Sequence, residues 1–199
     1  MGEYSFKKDP RIADWQREQL REFCSSLDGN VVALAKGLGL KVFEKDLLPY
    51  ERGFLEKSPS CGSASGWVIN LNKNDKPTTK HFTVAHELGH FVLHGARMAD
   101  LDQLDGRLNR NTNGALDPFS YLEDRDQIME SEANTFAAAL LMPKNLFGPA
   151  FQRLGGDTQA LAKLFFVSVD AVTKRIRELG LRLSNGYDGN TCGGTSGCS

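Results

Sequence analysis

Residues 86–90 read His86-Glu87-Leu88-Gly89-His90, an H-E-x-x-H pattern. On a helix, two histidines four residues apart share one face. Both imidazoles can then reach one ion at the about 2.0–2.1 Å of a zinc–nitrogen bond. The intervening Glu87 is aimed beside the ion, where its carboxylate can take a proton from a water that the metal has acidified. Gly89 in mid-helix costs about 1 kcal/mol relative to Ala, and polar groups on an apolar face must find partners. Both costs make sense if another element packs closely and the histidines hold a metal. The competing reading is a pair of satisfied histidines on a half-buried helix.

A catalytic zinc needs three protein ligands and one open position. His94 does not qualify as the third, because eight residues at 1.5 Å rise carry it about 12 Å from His86 along the axis. The helical stretch over 128–134 supplies carboxylates instead. Glu130 and Asn134 are i,i+4 neighbours sharing a face with Ala133, Ala137 and Leu141, whose small members permit close packing. In that geometry Glu130 can bind the metal while Asn134 holds a histidine from behind. Glu132, about 160° round the same helix, is the alternative third ligand. Both acids also complement a helix dipole from the first turn. Tyr121 and His81 are candidates for a second electrophile.

The elements that must carry these residues are legible in outline. Asp9-Pro10 places a capping side chain before a proline at the first helical position. Ile12, Trp15, Leu20 and Phe23 continue that helix to about Leu27. Asn30 caps a short helix over 31–36, stopped by Gly37 and Gly39. Strands are expected over 40–43 and 66–71, the second ended by the turn 72–75, with 51–65 as loop. Phe82, Ala85, His86, Gly89, His90 and Leu93 predict a helix over 77–94, with Gly95 as its stop. A polar stretch from 96 to about 123 reads as a lid or a disordered segment. Within it Asp100, Asp102, Asp105 and Gly106 hint at a calcium loop whose register fails. A helix over 126–141 ends at Met142-Pro143, and a last helix pair over 159–166 and 169–179 is closed by Gly180.

The run HFTVAHELGHFVLH (81–94), followed by ESEANTFAAALLMP (130–143), resembles the ImmA/IrrE family of metallopeptidases. The likeness extends back through GWVINLNKNDKPTTK and forward to LAKLFFVSVDAVTKRIRELGL, covering roughly 30–181. It implies His86 and His90 as paired zinc ligands, Glu130 as the third and Glu87 as the catalytic base. It also implies a cytoplasmic protein working beside a helix-turn-helix repressor, which it cleaves or inactivates to induce stress-response or mobile-element genes. The long segment between the two motif helices and the Gly/Ser/Cys tail depart from the family pattern. The expected fold is therefore α+β. It comprises a zincin-like catalytic domain with a small sheet over 1–144, a helical C-terminal subdomain over 145–184 and a disordered tail over 185–199.

Composition bounds the alternatives. The chain has 199 residues, with 24 Lys and Arg against 25 Asp and Glu. No global basic field draws it to nucleic acid. No apolar run approaches the about 18 residues of a membrane helix, and the opening MGEYSFKKDP lacks a signal-peptide core. A soluble, cytoplasmic protein with no membrane partner is expected. Cys24, Cys61, Cys192 and Cys198 form no C-x-x-C pair, so no zinc knuckle is expected. Residues 158–182 resemble a helix-turn-helix, with Lys174, Arg175, Arg177 and Arg182 available to DNA, although the net charge of -1 favours packing or partner docking. Zinc-dependent peptide hydrolysis of a repressor is the leading expectation. Its rivals are a regulator that binds the repressor without cutting it, the toxin half of a toxin–antitoxin pair, and a DNA-binding regulator.

Overall fold

The computed structural model describes residues 6, 8–27, 29–101 and 120–183, the side chains of 96–101 and 120–126 excepted. The element order is α1 (Asp14–Phe23), α2 (Val31–Gly37), β1 (Lys41–Lys45), β2 (Gly53–Lys57), β3 (Trp67–Asn72), α3 (Pro77–Leu101), α4 (Ser120–Leu141), α5 (Lys144–Arg153), α6 (Thr158–Leu164) and α7 (Val169–Glu178). The expected α+β class holds. The sheet runs β1-β3-β2, with β1 parallel and β2 antiparallel to the central β3. Trp67, Ile69 and Leu71 alternate toward the core, where α3 crosses them. No helix among the described residues is long and apolar enough to cross a membrane.

Several helix ends form as their side chains dictate. Asn30 Oδ1 accepts from the amides of Val32 and Ala33 at 3.0 and 3.1 Å, and Asp157 Oδ1 from those of Gln159 and Ala160 at 2.8 and 3.0 Å. Each satisfies donors that the first helical turn leaves open. Gly180, at φ 60°, closes α7 as expected.

Other boundaries move. The first helix begins at Asp14 rather than Pro10; Asp9 Oδ1 does accept from the Arg11 amide as a cap would, but only a single turn forms there, and the same carboxylate binds the Arg11 guanidinium. Trp15 consequently points outward, while Ile12 is buried ahead of the helix. The expected loop over 51–65 contains β2, made possible by a close approach at Gly53. A Cβ there would stand 2.6 Å from the Asn70 carbonyl oxygen and 2.7 Å from Thr83 Cγ2. Gly95 does not stop α3, and the helices on either side of the polar stretch extend into it, to Leu101 and from Ser120. The calcium-loop reading and the tail over 185–199 lie outside the described residues. The helix α5 was hidden by Gly148 and Pro149, which normally interrupt helices. Burial of Phe147, Ala150 and Phe151 holds it together.

One of the basic residues on the C-terminal helices turns inward. Arg175 is 3% exposed. Its Nε donates to the Met142 carbonyl at 3.0 Å and its Nη1 lies 3.3 Å from Glu178. It braces α7 against the end of α4 and is not available to DNA. Lys174 pairs with Asp170 on the surface.

Candidate metal centre

The site is built on the seam where α3 packs against α4. The seam can close because position 89 has no side chain. A Cβ on Gly89 would stand 3.0 Å from Ala133 Cα and 3.1 Å from the Ala133 carbonyl oxygen. The glycine expected to admit a close neighbour does so, and the neighbour is the helix carrying Glu130.

Across this seam His86 and His90 are 0% and 7% exposed. Their Nε2 atoms converge at 2.8 Å. Glu130 Oε1 lies 3.0 Å from His90 Nε2, and Glu130 Oε2 lies 3.4 Å from His86 Nε2. Tetrahedral zinc with bonds of about 2.0–2.1 Å separates its ligand atoms by about 3.3 Å, and the three spacings bracket that value. Two imidazoles and a carboxylate also suit a borderline-soft divalent ion. Among the described residues no other three metal-ligating side chains converge this way. The Glu130 side chain is 40% exposed, so one side of the cluster opens outward.

Glu87 follows His86 on α3 and is buried at 3% exposure. Asn134 Oδ1 lies 2.9 Å from His86 Nδ1, the atom facing away from the cluster. The structure thus brings together His86, His90, Glu130 and Asn134. Glu132 goes elsewhere. Its Oε2 lies 2.8 Å from His94 Nε2, and Arg11 Nη1 reaches both its oxygens at 2.9 Å. Because the seam runs through Ala133, the two glutamates flank it on opposite sides, so Glu132 faces α3 too rather than turning away. Burial alone would raise the Glu132 carboxyl, but the hydrogen bonds from Arg11 and His94 outweigh it and hold the group below the usual carboxylate range. Burial lowers the His94 imidazole.

His81 lies about 140° round α3 from His86. Its ring meets Phe166 edge-on at 5.4 Å, in a cavity shared with Val84, Leu140 and Phe165. It does not join the cluster. The Tyr121 side chain lies outside the described residues. Sequence reasoning missed His94 and Arg11 as neighbours of the site. The i,i+4 continuation from His90 to His94 was the available signal for the first; nothing in the sequence pointed to the second.

The chain has relatives among known proteins. The family profile of the IrrE N-terminal-like domain, a peptidase family, matches residues 35–177. The radiation response metalloprotease IrrE of Deinococcus radiodurans is 33% identical over 97 residues, covering 49% of this chain and 26% of that protein. The protein of the same name from Deinococcus deserti is 36% identical over 98 residues, covering 49% and 30%. The chain thus spans less than a third of either relative. A Mycobacterium tuberculosis transcriptional regulator shares the fold, with a TM-score of 0.52 and 22% identity over 86% of this chain and 49% of that one. The stretch matched by the profile contains both histidines, Glu87, Glu130 and the seam that joins them, and by that match the chain belongs to the IrrE N-terminal-like family of peptidases.

Proposed function

We propose that this protein is a zinc-dependent endopeptidase acting on a helix-turn-helix repressor in the cytoplasm, inducing the genes that repressor silences. The observation that carries the reading is the convergence of His86 Nε2, His90 Nε2 and the Glu130 carboxylate. Zinc held by these three would supply Lewis acidity, acidifying water and polarising the scissile carbonyl. Glu87 accepts the proton of the attacking water and returns it to the leaving nitrogen. Asn134 accepts from His86 Nδ1 and keeps that ring turned to the ion. The outward side of Glu130 gives an extended peptide its approach. The names of the Deinococcus relatives support a metalloprotease.

Residues 145–184 form the helical subdomain beside the catalytic domain of 1–144, and they dock the repressor rather than DNA. The inward Arg175 supports this, since it removes one of four basic candidates from the surface.

Replacing Glu87 by Gln is nearly isosteric and leaves the three ligands in place. Glu87→Gln should match wild type in zinc content and melting temperature yet cut at least 10²–10⁴-fold more slowly. Co-expression with the proposed helix-turn-helix repressor, followed by mass spectrometry of its fragments, provides the readout. Cleavage at the wild-type rate would remove Glu87 from the mechanism. Binding without cleavage by wild type would favour sequestration of the repressor.

A further inference from the structure

His94 continues the line of His86 and His90 along α3 and is 1% exposed. Its Nε2 lies 2.8 Å from Glu132 Oε2, and its Nδ1 lies 3.4 Å from His90 Nδ1. Behind Glu132 stands Arg11, which donates to both Glu132 oxygens at 2.9 Å and forks through Nε and Nη2 onto Asp9 at 2.9 and 2.7 Å. The chain of contacts runs from the N-terminal segment through α4 to the nitrogen of His90 that faces away from the cluster.

Hydrogen-bond direction along this chain is determined by its far end. An ionised carboxylate only accepts, and a neutral imidazole carries one N–H. His94 Nε2 must therefore hold the hydrogen that points at Glu132, which leaves a lone pair on His94 Nδ1. With a metal on the Nε2 side, the facing His90 Nδ1 donates to His94 Nδ1, and the His90 lone pair is left on Nε2, the atom 3.0 Å from Glu130 and 2.8 Å from His86 Nε2. Asn134 Oδ1 imposes the same tautomer on His86.

We infer that His94 is a positioning residue, held by Glu132 and Arg11, that sets the Nδ1–H tautomer of His90 and so presents its Nε2 lone pair to the metal. The inference rests on the metal centre proposed above. It also gives a role to the segment around Asp9, which the sequence assigned to helix capping.

The test compares wild type, His94→Leu and His94→Asn as full chains. Asn can place its amide oxygen near the position of His94 Nδ1 and accept from His90, whereas Leu cannot. Competition with a zinc chelator should show Leu weakening zinc binding 10–100-fold, the usual effect of losing a partner behind a ligand, with Asn recovering at least part of that loss. ¹H–¹⁵N correlation spectra of the zinc-loaded proteins should show the His90 Nδ1–H protected from solvent exchange in wild type and Asn, and exchanging freely in Leu. Glu132→Ala, at a less buried position, provides a second route should Leu fail to fold, and should also speed exchange of the His90 Nδ1–H. Wild-type zinc affinity and an unchanged exchange rate of the His90 Nδ1–H in Leu, or in Glu132→Ala if Leu does not fold, would overturn the inference while leaving the metal centre standing. Equal weakening by Leu and Asn would reduce His94 to packing and overturn it as well. Failure of wild type to bind zinc would instead overturn the metal centre, and this assignment with it.

Discussion

Glu130 and Glu132 are two residues apart on one helix, and their environments give them different work. Glu130 faces two imidazole nitrogens within 3.4 Å, while Glu132 is shared between His94 and Arg11. Under the proposed metal centre, removing Glu130 takes away a charged ligand. Removing Glu132 takes away a support two contacts further out. Glu130→Ala is therefore expected to lower zinc affinity well beyond the 10–100-fold typical of an outer partner, with Glu132→Ala inside that range. A chelator titration of the two variants side by side checks the order. The reverse order would move the third ligand to Glu132.

At the scale of elements, the α3–α4 seam decides whether a site exists at all. Two glycines on α3 separate propensity from packing. A Cβ on Gly89 meets the Ala133 backbone at 3.0 and 3.1 Å, whereas one on Gly95 meets, among the described residues, only Phe91 Cδ2 at 3.8 Å. Alanine raises helix propensity by about 1 kcal/mol at either position. At Gly89 it must push α4 away, and overpacking costs about 1–3 kcal/mol. Gly95→Ala should therefore stabilise the protein, while Gly89→Ala should destabilise it and weaken zinc binding by moving Glu130 from the histidines. Urea unfolding of both variants, with zinc titration of the second, reads the contrast. A Gly89→Ala variant with wild-type zinc affinity would show that the close approach is not needed to form the site.

Acid sensitivity belongs to the whole molecule, and His81 contributes to it from the cavity between α3 and the turn after α6. Burial holds its imidazole below the ordinary value of 6.5, so the folded state prefers the neutral ring. Between the two values the unfolded chain binds a proton that the folded chain does not. The stability linked to His81 is complete above pH 6.5 and is lost as the pH falls toward the folded value. Phenylalanine can fill the same space against Phe166 without titrating. The urea midpoint of His81→Phe should fall less than that of wild type between pH 7.5 and 5.5. Equal falls would remove His81 from the acid response.

How much of this was written in the chain depends on the range of the interaction. Local chemistry was legible: the Asn30 cap, the strand expected over 66–71 and found at 67–72, the 86–90 pattern on a helix and the i,i+4 pairing of Glu130 with Asn134 all follow from neighbours a few residues apart. What escaped was non-local. The strand β2 forms because Gly53 lets it lie on β3 and Thr83, a contact with no sequence signal of its own. Helix α5 survives its internal Gly and Pro through burial of Phe147 and Phe151. Arg175 looks like a surface cation in its helix and becomes a buried brace only when Met142 arrives. The pairing of Arg11 with Glu132 spans 121 positions, and no local pattern can place a guanidinium on a carboxylate that far away. The residue types and spacing determined which side chains could hold a metal; the close approach of α3 and α4 at Gly89 decided that they meet, because a three-point centre needs atoms from two helices within a few ångströms of one another.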